Sequence, residues 1–314
     1  MSRGYFDIKI LLLSIVFLLP GISYSKPNEE VKALNLKITE QLAYSTVKID
    51  VLFSDGNMSS GSGFFFKFQD TNNQYIPLII TNKHLVKNSN KGTIYVTLAD
   101  SYGNPQQQSF EEIVIDDFEK HWIFHPNKNI DLAVMPFGPI QHKLSEAGTH
   151  LFYIPIDKNL IPSENDLSEL GAVENILMVG YPIGLWDETN NYPIFRQGIT
   201  ATHPAKDYNG KSEFLVDIAC FPGSSGSPVF LYDLGVYQKR DGTQVLGESR
   251  LMFLGVLYAG YQYSPSGEIK VLEIPTRRDI IYKQYMPINL GNVIKSKEIL
   301  EFEKIIKSFI KDRN

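Results

Sequence analysis

The chain has 314 residues, of which 43% are hydrophobic and 21% charged, and its formal net charge is −5 at pH 7. This composition is ordinary for a globular protein, with enough apolar material for one large β-rich domain or two small ones, and it argues against a disordered chain. Because the charge is acidic and no basic stripe is present, nucleic acid is not an expected partner.

The first 25 residues have the layout of a secretory signal peptide. Arg3 and Lys9 precede the apolar run "ILLLSIVFLL", and the small residues of "SYS" follow it. This pattern predicts a signal peptide over residues 1–25, cleaved before Lys26. An uncleaved membrane anchor is disfavoured because a run of ten apolar residues is too short to span about 30 Å of hydrocarbon.

A single cysteine, Cys220, means that no disulfide forms within the chain. Exported animal enzymes of this size usually carry several disulfides, so a bacterial source is favoured. We therefore expect a bacterial protein that is exported to the periplasm or secreted, with no stable membrane anchor after cleavage.

The mature chain is expected to begin with a short helix and to continue as strands. Residues 26–44 are predicted to be an N-terminal extension, in which "VKALNLKITEQLAYS" has apolar residues at helical spacing. Runs such as "TVKIDVLF", "GSGFFFKF" and "RLMFLGVLYAG" are rich in β-branched and aromatic residues and are separated by turn formers. They predict an all-β fold, either a sandwich or a pair of barrels. "KRDGTQ", residues 239–244, is an expected hairpin tip.

The C-terminal residues 286–314 are predicted to form an amphipathic helix packed on the domain. In "SKEILEFEKIIKSFIKD", apolar residues recur at i, i+3, i+4 and i+7, and lysines occupy the other face. Ser296 is the expected N-cap of this helix.

Three residues far apart in the chain have the chemistry of an activated hydroxyl. His84 ends the run "YIPLIITNKH", Asp131 begins "DLAVMPF", and Ser225 lies in "CFPGSSGSPVF". A serine hydroxyl becomes a nucleophile when an imidazole takes its proton, and the imidazole needs a carboxylate to hold its tautomer and stabilise its charge. These residues are therefore the candidate catalytic triad, with an acyl-enzyme forming on Ser225.

The glycines around Ser225 predict a rigid turn rather than a flexible linker. A developing oxyanion needs backbone N–H donors that are fixed in advance, and a glycine two residues before the nucleophile lets two amides converge. We expect Gly223 and Ser225 to supply this oxyanion hole, and Gly226 to leave space for the substrate.

These motifs resemble those of the trypsin-like (chymotrypsin-fold) serine peptidases. "GSSGSP" is similar to their G-x-S-G-[GS]-P sequence, "TNKHLV" to T-x-x-H, and "DLAV" to D-[IL]-A. "GSGFFF", "VGYPIG", "RQGITA" and "GVLYAG" match further elements in order, and the closest similarity is to the disulfide-poor bacterial branch with the glutamyl endopeptidases and the Deg/HtrA protease domain. The resemblance implies two six-stranded antiparallel β-barrels over residues 45–285 and a serine endopeptidase that acts on proteins or peptides without a cofactor or metal.

The resemblance also places the substrate. Tyr258, Ala259 and Gly260 are expected to pair with an extended substrate as an added strand. Ala219, six residues before Ser225, would lie at the base of the first specificity pocket, where the lack of a fixed charge argues against cleavage after Lys or Arg.

Two departures from the family pattern narrow these expectations. Ser224 stands where digestive peptidases have an aspartate that pairs with a new N-terminus, so activation by N-terminal processing is not expected. Leu257 stands where glutamyl endopeptidases have a histidine, so a preference for Glu is unsupported.

Alternative functions remain open at this point. A catalytically inactive or weakly active module on the same fold would bind extended peptides without cleaving them. An α/β-hydrolase esterase is disfavoured, because its elbow needs a glycine two residues after the serine and its histidine comes last. His121 and His125 have a helical metal-ligand spacing, but the aromatic residues between them favour a packing role, and no metal is expected.

Overall fold

Two β-sheets, one from each half of the chain, make up most of what the computed structural model describes, which is residues 6–8, 36–69, 74–263, 269–273 and 286–311. Each sheet curves around its own apolar core, and a third core lies between them. A helix follows the last strand. The predicted all-β double barrel with a C-terminal helix is confirmed.

Nine strands form the N-terminal sheet. They are β1 (Phe6–Ile8), β2 (Thr46–Phe53), β3 (Met58–Gln69), β4 (Tyr75–Thr81), β5 (Ser89–Ala99), β6 (Pro105–Asp116), β7 (Ile123–Phe124), β8 (Ala133–Pro136) and β9 (Ile156–Asp157). Their order is β1-β6-β5-β2-β3-β4-β8-β7, with β9 beside β3. The central six follow the cyclic order of a barrel, but within the described residues no pairing between β6 and β8 closes the ring.

The C-terminal sheet does close. Its strands are β10 (Asn175–Gly180), β11 (Ile194–Thr200), β12 (Glu213–Asp217), β13 (Pro228–Asp233), β16 (Arg250–Tyr263), β17 (Ile269–Glu273) and β18 (Met286–Lys295). The order is β13-β10-β11-β12-β18-β16-β17, and an additional β13–β16 pairing makes a six-stranded barrel with β17 outside it. The predicted hairpin also forms, from β14 (Val236–Gln238) and β15 (Gln244–Leu246), with Gly242 at φ 87° in its turn.

Strand β3 shows why the sequence "GFFFKF" suits a position between two cores. Successive side chains of a strand point to opposite faces. Phe65 therefore enters the N-terminal core, whereas Phe64, Phe66 and Phe68 enter the core between the sheets. Both faces of this strand are buried, and it joins the two halves of the molecule.

The helices are short, and the predicted ones differ in extent from their expected ranges. They are α1 (Ile38–Ser45), α2 (Lys83–Val86), α3 (Gly138–Glu146), α4 (Glu164–Ser168) and α5 (Glu301–Lys311). The start of the predicted N-terminal helix, residues 31–35, lies outside the described residues.

The prediction of a helix over residues 286–314 was wrong in its first third. Residues 286–295 form β18, because this segment pairs with β12 on one side and β16 on the other, and Asn292 and Lys295 bond to Glu213 and Asp207. A 3-10 helix follows over Ser296–Leu300, so Ser296 is its first residue and not a cap. Ile299 of this 3-10 helix and Phe302 and Ile306 of α5 pack into the core between the sheets, as the amphipathic pattern predicted.

Only Phe6–Ile8 of the predicted signal peptide is described, as strand β1 parallel to residues 113–115 of β6. The rest of residues 1–25 lies outside the described part of the chain, and the signal peptide stays a prediction. Among the described helices, none has the length and apolarity needed to cross a bilayer.

Candidate active site

His84 and Asp131 meet where β4 ends and β8 begins. Helix α2, which carries His84, starts directly after β4, and Asn82 before it donates from Nδ2 to the Asp131 carbonyl oxygen (2.8 Å). The Asp131 carboxylate accepts from the backbone N–H of His84 through Oδ1 (2.9 Å) and contacts His84 Nδ1 through Oδ2. Because the same carboxylate contacts both the backbone N–H and the ring Nδ1 of His84, it fixes the orientation of the imidazole ring relative to the main chain.

The other ring nitrogen faces the nucleophile candidate. His84 Nε2 lies 3.1 Å from Ser225 Oγ, within hydrogen-bonding distance. The side chains of His84 and Asp131 are 12% and 14% exposed, and Ser225 is fully buried. The structure thus brings together the three residues that the sequence singled out, across a separation of 141 residues between His84 and Ser225.

The stretch around Ser225 is a rigid turn, as the glycines predicted. Gly223 and Gly226 both have φ of 84°, a left-handed conformation that glycine adopts without steric cost. The turn is held by hydrogen bonds from the Ser224 amide to the Phe221 carbonyl oxygen (3.0 Å) and from the Gly226 amide to the Leu257 carbonyl oxygen (2.9 Å). Within the described residues, the amides of Gly223 and Ser225 donate to no other group and remain available.

Gly226 allows the nucleophile turn to lie close to β3. A Cβ at this position would overlap the carbonyl oxygen of Ser62, and it would lie 2.5 Å from Thr81 Oγ1. The absence of a side chain therefore serves this close approach, and the predicted space for a substrate stays a prediction.

Ser62 is a functional candidate that sequence reasoning missed. Its amide donates to the Ser225 carbonyl oxygen (2.9 Å), and its hydroxyl donates to the Gly223 carbonyl oxygen (3.0 Å) and accepts from the Tyr181 amide (2.9 Å). One residue of the N-terminal sheet thus holds both Gly223 and Ser225, the first through its hydroxyl and the second through its backbone amide. The motif "GSGFFF" was noted as a strand, and only the long-range contacts show this second role.

Arg196 is a second residue that the sequence did not indicate. Its Nη1 donates to the Ala219 carbonyl oxygen and to Ser224 Oγ (2.9 Å), while Nε and Nη2 are buried without a partner among the described residues. Burial lowers the pKa of the guanidinium to about 10, and burial raises the pKa of the adjacent Cys220 thiol to about 12. A positive charge thus lies beside Ala219, where none was expected.

The predicted substrate-binding residues lie on β16, but their edge is not free. Ala259 and Gly260 pair with Glu273 and Leu272 of β17 on one side, and with β18 on the other. The Tyr258 hydroxyl donates to Glu213 Oε2 (2.5 Å), and burial raises the pKa of this hydroxyl above its usual range. The substrate-binding role of these residues stays a prediction, and a substrate that pairs with Ala259 and Gly260 on this edge has to take the place of β17.

His125 of "HWIFH" has the packing role that was expected. His125 is buried and donates from Nε2 to the Glu298 carbonyl oxygen (3.1 Å), which ties the C-terminal 3-10 helix to the N-terminal sheet. Trp122, between the two histidines, belongs to the N-terminal core. Within the described residues, no group of three or more acidic, histidine or cysteine side chains has a metal-binding arrangement.

Comparison with known proteins bears on the fold and the family. Among solved structures, the chain is similar to the HtrA-type protease AlgW with tripeptide, at 15% identity and a TM-score of 0.45 over 85% of this chain and 61% of that one. It is also similar to the active form of the Rv3671c protease from M. tuberculosis (14% identity, TM-score 0.39, 82% and 79%) and to a catalytically inactive tobacco etch virus protease complexed with substrate (14%, 0.40, 80% and 90%). The chain spans less than two thirds of the length of the AlgW structure.

Sequence comparison gives the family. No curated protein matches the chain. The family model described as "Trypsin-like peptidase domain" matches residues 61–236, more than half of the chain, and this range includes His84, Asp131 and Ser225. The chain belongs to the trypsin-like peptidase family.

Proposed function

We propose that the chain is an exported serine endopeptidase that hydrolyses peptide bonds through an acyl-enzyme on Ser225. The observation that carries the proposal is the alignment of Asp131, the His84 ring and Ser225 Oγ, with the last two 3.1 Å apart. Export rests on the predicted signal peptide of residues 1–25.

In the proposed mechanism, Ser225 Oγ attacks the carbonyl carbon of the scissile peptide bond while His84 Nε2 takes the hydroxyl proton. The resulting imidazolium is stabilised by Asp131, which keeps its negative charge. His84 then gives the proton to the leaving amine, and a water molecule deprotonated by the same nitrogen hydrolyses the ester on Ser225. Each step needs the geometry that fixes the ring between the two partners.

The backbone N–H groups of Gly223 and Ser225 stabilise the negative charge that develops on the carbonyl oxygen of the scissile bond. A preorganised donor of this kind stabilises the transition state by about 3–4 kcal/mol in measured cases. Ser62 and the left-handed Gly223 hold these amides in place before the substrate arrives.

The proposal is tested by incubating the purified chain with a peptide library and sequencing the products. Cleavage should be lost in Ser225→Ala and kept in Ser227→Ala, which removes a buried hydroxyl without a partner among the described residues. A folded wild-type chain that cleaves no peptide and forms no adduct with a fluorophosphonate would contradict the proposal. If that chain still binds peptides, the binding-module alternative takes its place.

A further inference from the structure

Strand β17 occupies one edge of β16 close to the nucleophile. Over residues 259–263, β16 has β18 on one side, so β17 lies on the other side. Strand β13 pairs with this same edge nearer the N-terminal end of β16, where Pro228 lies opposite Val256. Since β13 starts three residues after Ser225, β17 covers the stretch of edge that continues directly from the nucleophile turn.

The direction of β17 is the direction that a substrate would need. Ile269 lies opposite Tyr263, and Glu273 lies opposite Ala259, so the strand is antiparallel to β16 and its C-terminal end points towards Leu257. The Leu257 carbonyl oxygen accepts from the Gly226 amide in the nucleophile turn. A peptide that pairs antiparallel here thus advances, N-terminus to C-terminus, towards Ser225.

We propose that β17 is an internal competitor for the β16 edge from Ala259 to Tyr263, the edge that the resemblance assigns to the part of an extended peptide substrate preceding the scissile bond. The inference rests on the proposed peptidase function and adds to it. Binding by strand addition uses backbone hydrogen bonds along a free edge, and one edge holds one strand at a time. A substrate therefore displaces β17 before it binds over its full length.

Internal competition predicts how much KM for a long peptide should fall when β17 is removed. The apparent affinity of a ligand falls by the fraction of molecules whose site is open. If β17 is paired in 90–99% of molecules, its removal lowers KM by about 10-fold to 100-fold for long peptides. A short ester substrate that reaches no farther than Tyr258 does not use this edge, so its kinetics should stay the same.

The test replaces residues 269–273 with Gly-Ser-Gly-Ser-Gly, which keeps the chain length and removes the strand-forming side chains. The matched control replaces residues 244–246 of β15 with Gly-Ser-Gly, because β15 pairs with β14 alone among the described strands. We expect the first variant to hydrolyse a peptide with at least five residues before the scissile bond with a KM at least 10-fold lower than wild type. The control variant should match wild type, and so should all three proteins with the short ester.

The outcomes separate this inference from the peptidase proposal. If the replaced variant reacts with a fluorophosphonate at Ser225 but its KM for the long peptide equals that of wild type, internal competition is wrong and the peptidase proposal stands. If neither protein reacts, the peptidase proposal itself fails.

Should the replacement not fold, Val271→Pro and Leu272→Pro take its place. Adjacent strand residues direct their N–H groups to opposite sides, so one of the two must lose a bond to β16 and lower the KM.

Discussion

Ser62→Ala tests how the nucleophile turn is held against the N-terminal sheet. The change deletes a fully buried hydroxyl that donates to the Gly223 carbonyl oxygen and accepts from the Tyr181 amide, at 3.0 and 2.9 Å. Both partners stay buried after the change. Each of the two buried polar groups left without a partner costs about 1–3 kcal/mol, so we expect the free energy of unfolding to fall by about 2–6 kcal/mol.

The measurement is urea denaturation followed by tryptophan fluorescence, with Ser59→Ala as the control. Ser59 lies on the same strand, and its buried hydroxyl has no partner among the described residues. Its loss should change the free energy of unfolding by no more than about 0.5 kcal/mol. A loss below about 1 kcal/mol in Ser62→Ala, or an equal loss in both variants, would refute the assignment of the Ser62 hydrogen bonds.

Three further predictions concern the same region. Gly226→Ala should prevent stable folding, because its Cβ would overlap the Ser62 carbonyl oxygen. The control is Gly56→Ala, at a similar φ of 82° but with nothing within 4 Å of the added Cβ. Thermal unfolding should show that this control lowers the free energy of unfolding by only about 1–2 kcal/mol. Arg196→Met leaves the Ala219 carbonyl oxygen and the buried Ser224 hydroxyl without the donor that Nη1 supplies, so the urea midpoint should fall, and an unchanged or higher midpoint contradicts this account. Burial raises the pKa of the Cys220 thiol from 9.0 to about 12, so as the pH rises the unfolded chain loses this proton before the folded protein does. The protonated thiol therefore stabilises the folded state fully below pH 9, and this contribution is lost between pH 9 and 12. Cys220→Ala should flatten the resulting fall of the urea midpoint over that pH range.

The sequence was sufficient for the features that local pattern encodes. Three conformations follow from local sequence. They are the strand at "GFFFKF", whose apolar side chains enter cores on both faces, the Asp-Gly turn of residues 239–244 and the glycine-containing turn around Ser225. The triad residues were found because each lies in a motif of recognisable chemistry at the end of a strand. The structure then brought them within hydrogen-bonding distance.

The remaining features depend on contacts between distant parts of the chain. Strand β18 was mistaken for helix because its buried Asn292 and Lys295 interrupt the apolar pattern, and the groups that satisfy them belong to residues 205–213. The place of β17 on the β16 edge follows from strand pairing, which a one-dimensional pattern does not specify. Arg196 reads in the sequence as an ordinary surface charge, and only the fold buries it.

The most direct test of the central claim is covalent labelling with a fluorophosphonate, read by intact mass and peptide mapping, on wild type and on the variant with residues 269–273 replaced. The account predicts a single adduct per chain, located on Ser225, and a labelling rate that falls by about 1,000-fold or more in His84→Ala. Folded proteins that form no adduct, or an adduct on another residue that is indifferent to the His84 change, would contradict it.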